Sequence, residues 1–118
     1  MIESTDPRRG WLYLAELSPA FGTEPGKVRP VLVLQTDLLN RAHSSTVVLP
    51  LTSVVAPQSA LLRVHLERGE GGLKTASDIM IDQTRAIDNR RLRKRLGSLS
   101  PERLLEVEEK IAKLLDLN

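Results

Sequence analysis

The first two-thirds of the chain consists of short apolar stretches separated by segments rich in glycine and proline. Residues 10–17 alternate between the two faces of a strand, whereas residues 31–34 and 46–51 are almost continuously apolar. These patterns are typical of a half-buried strand and of buried central strands. Pro30 opens the second stretch, at a position where strands tolerate proline. Short strands joined by tight turns predict a small antiparallel β-barrel.

The remaining segments complete this sheet. Residues 61–66 alternate again and lead into a glycine-rich hairpin tip at 67–72. Residues 77–87 predict one bent strand or two short ones. Residues 18–27 contain two prolines and two glycines, which predicts a long loop of the kind that carries function. Residues 37–42 are expected to form a helical turn.

The segment that follows Ser100 predicts an amphipathic C-terminal helix. Ser100 is a favourable N-cap, and Pro101 is well placed as the first helical residue. Apolar residues then recur every three or four positions, at Leu104, Val107, Ile111, Leu114 and Leu115. One helix packed on a small sheet gives a mainly-β fold in a single domain that spans residues 1–118.

Basic residues concentrate just before this helix. Residues 85–97 carry six basic residues against one acid, and residues 101–118 carry five acids against three bases. We expect residues 89–96 to form a short basic helix that ends at Gly97. Such a helix can follow nucleic-acid phosphates, form a solvated face, or dock an acidic segment of a partner.

Composition excludes several classes of chemistry. The chain has no cysteine, which excludes disulfide scaffolds, thiol nucleophiles and cysteine-based metal sites. Its two histidines, His43 and His65, match no metal-binding spacing and are expected to be ordinary surface or strand residues. The sequence contains no apolar run long enough to cross a membrane. Residues 1–10 lack the apolar core of a secretory signal, so a cytoplasmic location is expected.

Six segments of the chain, in this order, are similar to the MazF/PemK toxin family. They are residues 10–13 (GWLY), 17–19 (LSP), 22–26 (GTEPG), 28–35 (VRPVLVLQ), 48–53 (VLPLTS) and 81–88 (IDQTRAID). The resemblance implies an SH3-like barrel with a C-terminal helix and a homodimeric toxin of a type II toxin–antitoxin system. It also implies cofactor-free and metal-independent cleavage of single-stranded RNA, to a 2′,3′-cyclic phosphate and a 5′-hydroxyl. A MazE-like antitoxin with an acidic C-terminal tail is the implied inhibitor.

The resemblance assigns the central chemistry to Arg29 and Thr52. Arg29 precedes the strand that Pro30 opens, so its main chain is held firmly while its planar guanidinium can donate to phosphate oxygens. Thr52 ends another buried strand and corresponds to the family threonine beside the scissile phosphate. Ser53 is implied to contact RNA.

The long loop supplies further candidates. Glu24 corresponds to the acid of the family pattern and can position Arg29, act as a base, or hold a backbone amide. Pro25 follows it, where the family usually has glutamine. Thr23 and Lys27 are candidate RNA contacts. Phe21 either stacks on a base or anchors the loop.

The last family segment contributes Asp82, Gln83 and Arg85. Asp82 corresponds to a carboxylate that acts as general base in some PemK-type members. In those members an arginine stands two residues earlier, where this chain has Met80. Gln83 and Arg85 are candidate contacts to bases or phosphates.

Two alternatives stay open on the sequence. A CcdB-type toxin has the same fold but binds gyrase, and a fold alone does not determine function. A non-catalytic barrel that binds nucleic acid or an antitoxin-like peptide is the other, and the departures at Pro25 and Met80 favour it.

Overall fold

The apolar stretches form seven β-strands in a computed structural model that describes residues 6–117. The strands are β1 (Trp11–Glu16), β2 (Val28–Val33), β3 (Ser45–Thr52), β4 (Arg63–Leu66), β5 (Ser77–Met80), β6 (Arg85–Asp88) and β7 (Leu92–Ser98). The helices are α1 (Asp37–Asn40) and α2 (Pro101–Leu114), and short 3₁₀ turns connect several strands. The N-terminal segment expected to lack a secretory signal lies partly outside the described residues.

All pairings in the sheet are antiparallel, in the order β4–β5–β3–β2–β1–β7, with β6 also paired to β3. Strand β3 is shared among three partners. Its residues 45–48 pair with β6, residues 48–50 with β2, and residues 51–52 with β5. The two sheet segments therefore meet along one strand.

An inner apolar cluster shows that the sheet is curled. Tyr13, Val31 and Val48 from three adjacent strands pack with Ile87 of β6 and Leu92 of β7. Because β6 and β7 lie at the two ends of the path β6–β3–β2–β1–β7 and both contribute to this cluster, the sheet forms an open barrel around it. The predicted mainly-β, barrel-like fold with an antiparallel sheet and a C-terminal helix is confirmed.

Helix α2 covers an outer apolar cluster. Ser100 Oγ accepts a hydrogen bond from the Arg103 amide at 3.2 Å, as expected of an N-cap. Val107 and Ile111 are buried in the cluster, and burying such a side chain contributes about 1.5–3 kcal/mol. The buried stripe of α2 ends at Ile111. Leu114 and Leu115, which are predicted to continue it, are 43% and 57% exposed.

The predicted basic helix at 89–96 is wrong. The segment forms the 3₁₀ turn Asn89–Arg91 and then enters β7, where it pairs with β1. Leu92 is buried at the start of the strand, and the backbone pairing with β1 decides the structure over local helix preference.

Gly97 lies within β7 and caps no helix. A Cβ atom at Gly97 would lie 2.8 Å from the carbonyl carbon of Gly71 and 2.9 Å from the amide nitrogen of Gly72. Both contacts are with backbone, so a side chain can be accommodated there only if β7 and the 3₁₀ turn Glu70–Gly72 move apart.

We predict that Gly97→Ala lowers the free energy of unfolding by about 1–3 kcal/mol, because it overpacks this backbone contact. Urea unfolding measures the change. Ser98→Ala, at the exposed next residue, is the control and is expected to stay within about 0.5 kcal/mol of the unsubstituted protein. Equal stability of all three proteins would contradict the close approach.

Candidate active site

An open cleft of about 460 Å³ lies where β2 begins and β3 ends. One wall is formed by residues 27–30 and another by residues 51–54. The segment after the β4–β5 turn, including Leu73, Lys74 and Thr75, closes a third side. Leu14 of β1 and Leu96 of β7 contribute apolar surface. The cleft thus combines the start of β2 and the end of β3 with the middle of β1 and β7.

The cleft is strongly cationic. Its lining residues include four cations, Lys27, Arg29, Lys74 and Lys94, and no carboxylate. The hydroxyl groups of Thr52, Ser53, Thr75 and Ser77 line it as well. A concave surface with charges of one sign attracts ligands of the opposite sign, so this cleft favours an anion.

Arg29 is held in place by two backbone carbonyls. Its Nε donates to the carbonyl oxygen of Gly26 at 2.9 Å, and one terminal nitrogen donates to that of Leu51 at 3.2 Å. The described residues place no carboxylate within ion-pair distance of Arg29, so its positive charge is not neutralised by a partner. The guanidinium has five donors, and the remaining ones are available to an anion in the cleft.

Thr52 is oriented by the chain that follows it. Its Oγ1 accepts a hydrogen bond from the Val54 amide at 3.1 Å. A hydroxyl that accepts in this way keeps its own hydrogen to donate. Ser53 lines the same wall and is exposed. The structure therefore brings together the predicted residues Arg29, Thr52, Ser53 and Lys27.

The long loop, residues 17–27, closes on itself beside the cleft. The Leu17 amide donates to the carbonyl oxygen of Lys27, and the Lys27 amide donates to Ser18 Oγ. A hydrogen bond from the Ser18 amide lowers the pKa of Glu16 at the stem. Arg91 donates from one guanidinium nitrogen to the carbonyl oxygens of Glu16 and Ser18, so the 3₁₀ turn before β7 also fixes this stem.

Glu24 belongs to the loop and does not line the cleft. Its Oε1 accepts a hydrogen bond from the Phe21 amide at 3.0 Å, and its own amide donates to the Phe21 carbonyl oxygen. This is the backbone-holding role among the three that the sequence left open. Pro25 is buried, whereas Thr23 and Phe21 are exposed, Phe21 to 78%.

The predicted residues Asp82, Gln83 and Arg85 do not line the cleft either. Asp82 and Gln83 lie in the 3₁₀ turn Ile81–Gln83, which packs against α2. Arg85 opens β6 opposite Val48, several residues from the end of β3. Strand β5 runs antiparallel to β3, so the turn that follows it is carried away from Thr52.

Lys74 and Lys94 are cleft residues that sequence reasoning did not single out. Lys94 belonged to the recognised basic stretch but was assigned to a helix. Lys74 follows the hairpin tip, where a single lysine gives no signal in one sequence. Both become apparent when the turn and β7 come together.

Among residues 6–117, no helix is long and apolar enough to cross a membrane. The same residues contain no group of three or more histidine, aspartate or glutamate side chains arranged to hold a metal ion.

Comparison with known proteins matches residues 8–115 to the family of PemK-like, MazF-like toxins of type II toxin–antitoxin systems. Endoribonuclease MazF of Staphylococcus epidermidis is 35% identical over 111 residues, which cover 94% of this chain and 92% of that protein. The crystal structure of MazF (Form-I) from Deinococcus radiodurans superposes with a TM-score of 0.81 at 29% identity, covering 93% of this chain and 96% of that one. The MazE–MazF (Form-II) structure from the same organism gives 0.77 at 28% identity, covering 96% and 98%.

The family model matches nearly the whole chain and the MazF relative is 35% identical over most of it, which shows that this protein belongs to the PemK-like, MazF-like family of type II toxins.

Proposed function

We propose that this chain is the endoribonuclease toxin of a type II toxin–antitoxin system and cleaves single-stranded RNA in the Arg29 cleft. The observation that carries the proposal is the cleft itself, with four cations and no carboxylate around the motif residues. RNA offers the anion that such a lining favours. The name of the Staphylococcus relative and its high coverage support the same activity.

The proposed reaction uses the RNA's own 2′-hydroxyl as nucleophile. Its oxygen forms a bond to phosphorus while the bond to the 5′-oxygen breaks. The 2′-hydroxyl proton leaves to water, and the 5′-oxygen gains a proton from water. The products are a 2′,3′-cyclic phosphate and a 5′-hydroxyl, and no redox step or cofactor is needed for the exchange.

Arg29 and Thr52 stabilise the charge that develops on the nonbridging phosphate oxygens. Because two carbonyls fix Arg29 beforehand, its free N–H groups need little reorganisation as the reaction proceeds. Thr52 donates the hydroxyl hydrogen that its bond with Val54 leaves available. Glu24 and Asp82 stay predictions for a chemical role, and we assign neither a step because neither lines this cleft.

RNA binding extends along the lysines of the cleft. Lys27, Lys74 and Lys94 contact flanking phosphates, and Ser53 contacts the nucleotide next to the cleaved bond. Thr23 and the exposed ring of Phe21 project from the neighbouring loop, where an unpaired base can stack. Gln83 and Arg85 stay predicted contacts, on a surface separate from this cleft.

Membership of this family also implies protein partners for the chain, an inhibitory antitoxin and a second copy of itself. We propose that a MazE-like antitoxin inhibits the chain by placing an acidic tail over the cationic cleft. The Deinococcus MazE–MazF structures support an antitoxin of this kind. The chain acts as a homodimer, a stoichiometry that light scattering can measure. It acts in the cytoplasm, where messenger RNA is available.

The activity is tested with a long RNA in the presence of EDTA. We expect discrete cuts whose upstream fragments end in a 2′,3′-cyclic phosphate and whose downstream fragments begin with a 5′-hydroxyl. Mapping the ends by sequencing, with and without phosphatase and kinase treatment, identifies them. Intact RNA together with inhibition of gyrase supercoiling would instead favour a CcdB-type toxin, and RNA binding without cleavage would favour a non-catalytic barrel.

We predict that Arg29→Lys lowers the single-turnover cleavage rate about a hundred- to a thousandfold, because lysine keeps the charge but loses the fixed array of donors. Arg68→Lys is the matched control, since Arg68 is exposed at the β4–β5 turn. Its rate is expected within about twofold of the unsubstituted protein. Circular dichroism verifies folding, and an Arg29→Lys protein that cleaves at the normal rate would contradict the assignment.

A further inference from the structure

Asp78 is a buried carboxylate that the proposed reaction does not use. It lies on β5, directly opposite Thr52 in the β3–β5 register, and its side chain is 3% exposed. Oδ2 accepts hydrogen bonds from the Ala56 amide at 2.8 Å and from Arg63 at 3.2 Å. Oδ1 lies 2.9 Å from His65 Nδ1. Burying a carboxylate is costly, and these donors offset that cost.

The donors connect Asp78 to the loop between β3 and β4, residues 53–62. Ala56 lies in the middle of this loop. Arg63 donates to the carbonyl oxygen of Val54 as well as to Asp78, so one guanidinium links the start of the loop to the carboxylate. At the far end, Lys110 of α2 donates to the carbonyl oxygen of Ala60 at 2.6 Å. Asp78 is thus the central of three attachment points.

The anchored loop forms one wall of the cleft. Ser53 and Val54 line the cleft, and the Val54 side chain is 76% exposed. The Val54 amide also orients the hydroxyl of Thr52. Because the apolar side chains of this loop are exposed, their packing does little to hold it in one conformation. The conformation of the loop therefore depends on fixed polar attachments such as Asp78.

We propose that Asp78 is a positioning residue that holds the 53–62 loop in the conformation that binds RNA beside Thr52. The proposal rests on the proposed function, because it assigns the ordered loop to substrate binding. Asp78 itself contacts no substrate. Its loss therefore weakens RNA binding and leaves the chemistry at Arg29 largely intact.

The titration of His65 depends on its contact with Asp78 and can therefore be used to follow that contact. The hydrogen bond with Asp78 raises the pKa of His65 above its ordinary value, and Glu67, 3.2 Å from Nε2, adds to the effect. Although burial opposes it, hydrogen bonds from Ala56, His65 and Arg63 lower the pKa of Asp78. A shallow cavity lies beside Asp78 and α2, and its remaining charged lining residues are Glu106 and Lys110 of α2. Glu70 also lies within electrostatic reach of His65.

The sign of the pH dependence follows from the raised pKa. The charged His65–Asp78 contact stabilises the fold fully below the ordinary histidine pKa of 6.5, and this contribution is lost as the pH rises through the raised value. Ala56 and Arg63 hold the carboxylate over the same range, so the loop remains attached when His65 becomes neutral.

The test compares Asp78→Asn with Asp88→Asn. The amide group of asparagine has the shape of the carboxylate but offers one acceptor atom in place of two, and it carries no charge. Asp88 is a matched control, because it too accepts a backbone hydrogen bond, from Arg90, and pairs with that guanidinium. It lies at the end of β6 and outside the cleft.

Three measurements on Asp78→Asn have distinct expected results. Hydrogen exchange of the 53–62 amides is expected to accelerate about tenfold or more, while exchange in α2 and β1 stays unchanged. The KM for a cleaved RNA oligonucleotide rises about tenfold with kcat within about twofold. In an NMR titration the pKa of His65 falls. Asp88→Asn behaves like the unsubstituted protein in all three.

Several outcomes would overturn the proposal. Unchanged exchange in the loop, acceleration that spreads equally through the sheet and α2, or a fall in kcat at constant KM each contradicts a positioning role. If the unsubstituted protein cleaves no RNA, the proposed function fails and the role in RNA binding with it, while loop exchange and the His65 titration still decide whether Asp78 anchors the loop. If Asp78→Asn does not fold, Arg63→Met provides the test, because it removes the link to Val54, and the same localised acceleration is expected.

Discussion

The backbone pairing of β3 is the constraint on which the rest of the molecule depends. Its first half joins β6 and β2 in the barrel, and its second half joins β5 in the sheet segment that extends to β4. Buried side chains along it contribute to both apolar clusters. The strand ends at Thr52, so the element with the most partners also delivers a hydroxyl to the rim of the cleft. A group at such a position is held more precisely than one on a free loop.

Electrostatics then determines what the cleft can accept. The start of β2, the segment after the β4–β5 turn and strand β7 bring cations together. The carboxylates nearby are engaged elsewhere: Glu16 and Glu24 by loop amides, and Asp78 by the β3–β4 loop. Arg29 has no acidic partner among the described residues, so its positive charge is not neutralised. It lies near the start of β2, and this strand fixes its main chain. A chain without cysteine and with two histidines outside the cleft is thereby equipped to stabilise charge on a phosphate. The substrate's hydroxyl supplies the nucleophile.

Much of this was accessible from the sequence. Hydropathy patterns predicted the barrel-like sheet, the long loop and α2 with its Ser100 cap, and the family motif predicted Arg29 and Thr52 as neighbours. Local pattern failed at residues 92–98, because pairing with β1 and the close approach at Gly97 are tertiary effects. The motif at 81–88 predicts a catalytic carboxylate at Asp82 and RNA contacts at Gln83 and Arg85, but the antiparallel course of β5 carries Asp82 toward α2 and Arg85 into β6. Asp78 gave no signal at all, since its importance depends on donors from residues 56, 63 and 65 that converge only in the fold.

Attack by the substrate's own 2′-hydroxyl is the step that the cleft is proposed to promote. The most direct measurement uses an RNA oligonucleotide that contains one mapped cut site, compared with the same oligonucleotide carrying a single 2′-deoxynucleotide on the 5′ side of that bond. Binding of both is measured by fluorescence anisotropy and cleavage by gel analysis. We expect similar binding of the two oligonucleotides and no cleavage at the deoxy position. Cleavage there at the rate of the all-RNA substrate would contradict it.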